Sequence, residues 1–252
     1  MKLTVDLNAD LGEGSGFDDQ LLRLVSSANI ATGFHAGDAD SMRIAIEAAQ
    51  ANDVAVGSHP SLFDRENFGR KETNATAEEV FDAVVYQLGV FHAIAERAGA
   101  TPAHVKPHGA LYNMAARRAD LADAIARAIK QVDPALMLFA LPESELMRAG
   151  EGHGLRVVPE FFADRNYLAN GSLVPRSRPD ALLSDPEAAA ARVLQMLAQG
   201  RISTVDGNEI ALRGETICVH GDTPGAVDFA HSLREQLRKN NVDVRAPNRL
   251  RS

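Results

Sequence analysis

Val105-Lys106-Pro107-His108-Gly109-Ala110-Leu111-Tyr112-Asn113 carries a lysine, a histidine, a tyrosine and an asparagine directly after a short apolar run and ahead of a segment with helical pattern. Pro107 disfavours helical geometry at Lys106, and Gly109 permits a tight turn. The stretch therefore reads as a strand that ends and opens into a loop, with its polar heads gathered where the chain leaves a sheet. In α/β folds that is where chemistry sits. The same punctuation recurs at Asn8-Ala9-Asp10-Leu11-Gly12-Glu13, Gly33-Phe34-His35-Ala36-Gly37-Asp38, Gly57-Ser58-His59-Pro60, Glu160-Phe161-Phe162-Ala163-Asp164-Arg165 and Val219-His220-Gly221-Asp222. One cluster would mean little, but repetition of one layout points to a single site assembled from many strand ends.

Between these clusters strand alternates with helix. Strands are expected over 3–7, 29–34, 54–57, 104–106, 136–140, 156–161 and 216–219. Helices are expected over 18–28, 41–51, 117–131, 143–149, from Asp185-Pro186 to about 199, and from Thr223-Pro224 to about 240. A further helix opens on the capping-box pair Thr76 and Glu79 and continues through Val80, Val84, Leu88, Phe91 and Ala95 at helical spacing. Asp206-Gly207 suggests a small hairpin, and Val242-Asp243-Val244 a terminal strand. Two long polar stretches, 61–74 and 163–184, read as loops, the first either a lid or merely solvated. The alternation implies parallel strands joined by right-handed crossovers. A doubly wound sheet concentrates its ligand at one switch point, whereas a barrel collects side chains from all its strand ends, so the spread of clusters predicts a distorted seven-stranded (β/α) barrel forming a single domain.

Composition narrows the partners. A net charge of −8 argues against nucleic acid or an anionic membrane as the main partner, and leaves small molecules and proteins. The lone cysteine, Cys218, excludes an internal disulfide and a cysteine-based zinc cluster and reads as a small buried residue. No secretory h-region and no run approaching the ~18 apolar residues of a membrane span is present, so a cytoplasmic location is expected. Neither a phosphate-binding loop of the Gly-x-x-x-x-Gly-Lys-[Ser/Thr] type nor a Gly-x-Gly-x-x-Gly turn occurs.

The runs Asp6 to Glu13, Asn29 to Asp38, Val105 to Asn113 and Glu160 to Tyr167 resemble the signatures of the LamB/YcsF family, in consistent order from Asp6 to about Pro224. Departures occur at Thr32, where the family commonly has cysteine, at Ala39, where it has proline, and at Asn67 and Lys71, where its Gly-Phe-Gly-Arg-Arg run has glycine and arginine. The resemblance implies a distorted barrel similar to the glycoside hydrolase/deacetylase superfamily. It also implies the role of the A subunit of bacterial ATP-dependent 5-oxoprolinase, which opens 5-oxo-L-proline to L-glutamate with ATP as cofactor, Mg2+ accompanying the nucleotide, and subunits B and C as partners. Self-association into a homo-oligomer stays open.

A lactam is a poor electrophile, so such a site needs a carboxylate clamp, a base for water, donors for an oxyanion and a proton for the ring nitrogen. Asp10 and Glu13 are candidates for base or metal ligand, or else cap the following helices. His35, His59 and His108, each within two residues of glycine or proline, suit an acid/base or metal cluster, and Asp10, His35 and His59 form one candidate metal set. Lys106 suits an oxyanion or phosphate, and Arg165 or Arg176 the substrate carboxylate, with a surface ion pair as the alternative for each arginine. Glu160 and Asp164 offer a second acid pair, one of which could orient Arg165. Asn8, Tyr112, His220 and Asp222 complete the substrate-binding candidates; Tyr112 could equally pack, and Asp222 cap a helix. His92, His104, His153 and His231 receive no role. The competing readings are a metal-dependent deacetylase or other carbohydrate hydrolase, and a non-catalytic scaffold using the two polar loops as docking surfaces.

Overall fold

A computed structural model describes residues 3–219 and 225–248. Its elements run β1 (Thr4–Leu11), α1 (Asp18–Leu22), β2 (Ser27–Ala31), α2 (Ala39–Ala51), β3 (Ala55–His59), α3 (Ala77–Arg97), β4 (His104–Val105), α4 (Gly109–Ala115), α5 (Ala119–Val132), β5 (Met137–Ala140), α6 (Glu145–Gly152) and β6 (Val157–Phe162). They continue through α7 (Pro186–Gln199), β7 (Arg201–Ser203), β8 (Glu209–Ala211), β9 (Thr216–Val219), α8 (Ala226–Lys239) and β10 (Asp243–Val244). Seven parallel strands pair in the order β1-β2-β3-β4-β5-β6-β9, and β9 pairs back onto β1 to close the barrel. β7 and β8 form the expected hairpin outside it, and β10 adds to the start of β1. None of the described helices is long and apolar enough to cross a membrane.

The helices form for legible reasons. Thr76 Oγ1 accepts from the Glu79 backbone N–H while the Glu79 carboxylate accepts from Thr76 N–H, so α3 starts on a complete capping box. Its apolar row Val80, Val84, Leu88, Phe91 and Ala95 is fully buried, and each large member contributes roughly 1.5–3 kcal/mol by burial. Asp185 caps α7, with proline in its first turn as read from sequence.

β1 departs from the expectation of a strand ending at Leu7, and continues to Leu11. Leu7, Ala9 and Leu11 belong to the main apolar core, while Asp6, Asn8 and Asp10 bond to polar groups of neighbouring strands. Helix α1 is correspondingly shorter than expected, and β2 starts at Ser27 rather than Asn29 and stops at Ala31.

Register builds the polar interior. Asp6 stands level with Thr216, Asn8 with Cys218, and Asp10 with Asn29. Asn29 in turn is level with Gly57, Gly57 with His104, and Glu160 with Thr216. Side chains at one level of a barrel point to the same side of the wall, so these residues meet.

Candidate active site

Lys106 lies just past the end of β4 and is the hub of the interior. Its ammonium donates to Asp10 Oδ1 at 2.9 Å, Asn8 Oδ1 at 3.2 Å and Cys218 Sγ at 3.0 Å, and lies 3.0 Å from Glu160 Oε1. Burial works against the charge, but Asp10, Cys218 and Glu160 outweigh it and hold the lysine pKa well above its ordinary value. Asn29 Nδ2 donates to both Asn8 Oδ1 and Asp10 Oδ1, and Asn8 Nδ2 donates to Glu160 Oε1 and Thr216 Oγ1. Beneath them Asp6 accepts from Ser26, Ser27 and Thr216. Desolvation nevertheless pushes Asp6 up to about 6, with the Glu160 charge adding to the rise against those three hydrogen bonds.

The histidines gather above this floor. His35 and His108 stack with ring centroids 3.8 Å apart, and His59 meets both rings edge-on. Glu13 Oε1 is 2.9 Å from His35 Nε2 and 3.4 Å from His108 Nδ1, while His59 Nε2 is 3.5 Å from Asp10 Oδ2. Desolvation, and then the other imidazoles, lower His35 to about 3 and His108 well below its ordinary value. The loop 61–74 covers the cluster: Phe68 O accepts from His108 Nε2 at 2.8 Å, and Gly69 O accepts from Ala110 N at 2.9 Å. A Cβ at Gly109 would stand 2.5 Å from Gly69 O, so this contact requires glycine. Gln87 on α3 fixes the other end of the loop by bonding Ser61 through both its backbone groups, and Thr32 donates to the same Gln87 amide. The Thr32 departure from the family pattern is thereby accommodated by a hydroxyl with a defined acceptor.

A cavity of about 550 Å³ opens onto these groups. Asp10, Glu13, His59, Lys106, His108 and Tyr112 line it. So do Arg165 and Arg176, carried by the 163–184 loop, and Arg70, which sits over the Phe68 ring at 4.9 Å. Arg165 is buried, donates to Val174 O at 2.6 Å, and is lowered to about 10 by burial and then by Arg176. Tyr112 is buried against Glu160; burial first, and that carboxylate second, raise its phenol well above the ordinary value. Tyr112 OH and Glu160 Oε2 make no hydrogen bond of ordinary geometry among the described residues.

The strand-end clusters thus bring together Asn8, Asp10, Glu13, His35, His59, Lys106, His108, Tyr112, Glu160, Arg165 and Arg176. Asp164 lines a second cavity of about 270 Å³, with Leu182, Leu183 and residues of α8. His220 and Asp222 lie outside the described residues. Asn29, Thr216, Asp6 and Cys218 join the interior although the sequence reading assigns none of them to it. So does His104, which the sequence reading leaves without a role: it is fully buried, stacks on Phe139 and bonds Asn29 Oδ1 at 2.8 Å through Nε2. The signal that could have found them is polar spacing of two along strands: 6, 8, 10; 27, 29; 104, 106; 216, 218.

Comparison with known proteins gives the chain its relatives. The chain is 51% identical over 242 residues, 96% of its length and 99% of the relative's, to the 5-oxoprolinase A subunit of Erwinia tasmaniensis. A lactam utilization protein from Thermus thermophilus superposes with a TM-score of 0.92 at 44% identity, over 97% of this chain and 100% of that one. A family 4 carbohydrate esterase from Streptomyces lividans shares the fold alone, at a TM-score of 0.52 and 12% identity over 96% and 91% of the two chains. The sequence model of the LamB/YcsF family matches residues 5–252, and with these relatives it establishes that the chain belongs to the LamB/YcsF family.

Proposed function

We propose that this chain is the hydrolytic A subunit of an ATP-dependent 5-oxoprolinase, opening 5-oxo-L-proline to L-glutamate together with subunits B and C. The observation that carries the reading is the Asp10–Lys106 pair, 2.9 Å apart in the wall of a cavity that Arg165 and Arg176 also line. A small anionic lactam needs both ends of that arrangement: guanidinium for its carboxylate, and a cation beside a base for its carbonyl.

Transfer of the γ-phosphoryl of ATP to the lactam oxygen releases ADP and makes the ring carbon electrophilic. Water then adds to that carbon, with Asp10 taking its proton and Lys106 facing the oxygen that gains charge. The ring C–N bond breaks as a proton reaches nitrogen, and a second water cleaves the resulting acyl phosphate. One ATP and two waters thus yield ADP, phosphate and glutamate. Because the sequence contains no glycine-rich phosphate loop, ATP is held wholly or partly by the partner subunits.

The test is glutamate release from 5-oxoproline and ATP by this chain alone, by its neighbouring-gene partners alone, and by the complete mixture. Release only from the complete mixture is expected. Its absence from every mixture of folded components, with deacetylation by this chain alone, would replace the reading with a metal-dependent hydrolase.

A further inference from the structure

Glu13, His35, His59 and His108 meet beneath the 61–74 loop in an arrangement whose hydrogen count does not close. His59 Nδ1 is 2.6 Å from Lys106 O, and a carbonyl only accepts, so Nδ1 carries the hydrogen and Nε2 of the neutral ring is a bare lone pair. His108 Nε2 donates to Phe68 O at 2.8 Å by the same logic, leaving Nδ1 bare. Those two bare nitrogens face each other at 2.9 Å. On His35 the outer nitrogen faces Ser61 Oγ at 3.1 Å, and that hydroxyl spends its own hydrogen on Leu62 O at 2.9 Å. Ser61 therefore accepts from His35 Nδ1, and the Nε2 lone pair points at the Glu13 carboxylate 2.9 Å away.

Three lone pairs and a carboxylate oxygen, all within 4.8 Å of one another, converge on one point that calls for positive charge. We propose that Glu13, His35, His59 and His108 are the protein donors of a divalent transition-metal site of the zinc class. Ligands about 2.0–2.1 Å from a tetrahedral ion lie about 3.3 Å apart, close to four of the six separations among these atoms, 2.9, 2.9, 3.4 and 3.9 Å, with the other two within 4.8 Å. Each histidine also gives its outer N–H to an acceptor that fixes tautomer and ring orientation, the arrangement that metal-ligating histidines require. Glu13 and His108 take places beside His35 and His59 in this set, while Asp10 borders it, its Oδ1 engaged by Lys106 and Asn29 and its Oδ2 3.5 Å from His59 Nε2. Glu13, His59 and His108 line the 550 Å³ cavity, so an ion bound there would supply Lewis-acid chemistry at its wall.

The inference stands apart from the lactam reading and is tested by binding. The full chain, stripped with a chelator, is titrated with Zn2+ by calorimetry and with Co2+ by visible absorption. One equivalent per chain is expected, with the intense bands of low-coordinate Co2+ and a raised melting temperature. Glu13→Gln and His35→Gln should each weaken binding by about 100-fold or more, and Ser61→Ala, which removes the acceptor for His35, by about 10–100-fold. Asp10→Asn should keep one equivalent. Each variant is checked for a native circular dichroism spectrum in the stripped state. A folded wild type that takes up no stoichiometric ion overturns the proposal, as does binding that survives Glu13→Gln but not Asp10→Asn.

Discussion

Gly57 stands level with His104 on the neighbouring strand, and the His104 ring occupies the space that any side chain at 57 would claim: a Cβ there would lie 2.1 Å from His104 Nε2. The absent side chain lets the imidazole cross β3 and reach Asn29, which in turn holds Asn8 and Asp10.

Gly57→Ala should therefore cost about 1–3 kcal/mol, the usual range for overpacking a filled interior. Because the clash is with one ring, Gly57→Ala combined with His104→Ala should cost measurably less than the two changes added together. Chemical denaturation of the four proteins gives the comparison, and strict additivity would mean that the backbone at 57, not the ring, sets the cost.

The ammonium of Lys106 offsets two buried carboxylates, Asp10 and Glu160. Lys106→Met should lower stability by about 3–5 kcal/mol by leaving both without their partner. Adding Glu160→Gln should recover part of that loss. On the function proposed above, Lys106→Met or Asp10→Asn should reduce turnover of the complete mixture by about 100-fold or more. Full turnover in a folded Asp10→Asn complex would remove Asp10 from the chemistry.

Much of this arrangement is legible in the sequence. The Thr76–Glu79 box, the proline opening α7, the hairpin at Asp206-Gly207 and the convergence of polar strand ends all follow from local chemistry. The lower interior is not, because a strand that alternates apolar and polar residues ordinarily turns its polar side to water. Along β1 the apolar Leu7, Ala9 and Leu11 belong to the main core while Asp6, Asn8 and Asp10 meet other polar groups inside, an inversion that only barrel closure reveals. Cys218 reads as a small hydrophobe, and it is buried, but it is level with Asn8 and its sulfur accepts from Lys106. Asp164 sits only four residues from Glu160, yet it follows the end of β6, where the chain has left the barrel's alternation, and it lines a different cavity.

Arg165 and Arg176 should separate by their burial. Arg176 is exposed on the cavity wall, so Arg176→Ala should raise KM for 5-oxoproline by about 10-fold with little change in kcat, the signature of lost uniform binding. Arg165 also holds Val174 O, so Arg165→Lys should disturb the 163–184 loop and lower both kcat and kcat/KM. Steady-state kinetics of the complete enzyme distinguishes these outcomes, and an unchanged KM in Arg176→Ala would assign carboxylate recognition elsewhere.

Asp6 gives the barrel a pH dependence of its own. Its carboxyl is raised from an ordinary 3.8 to about 6 by desolvation, so the folded state holds a proton that the unfolded chain releases. The associated stability is fully present below about pH 4 and is lost as pH rises through about 6, a change of about 3 kcal/mol for a shift of this size. His35 and His104, both lowered to about 3, act with the opposite sign and lose stability as pH falls below about 6.5, so the wild-type curve alone mixes the effects. Asp6→Asn isolates the carboxyl. Whatever constant offset the amide introduces at Ser26, Ser27 and Thr216, the variant should gain on the wild type by about 2 kcal/mol between pH 4 and pH 6.5. Urea denaturation at half-unit pH steps measures the difference, and a flat difference would mean that Asp6 is ionised throughout, held by its three hydroxyl donors against the cost of burial.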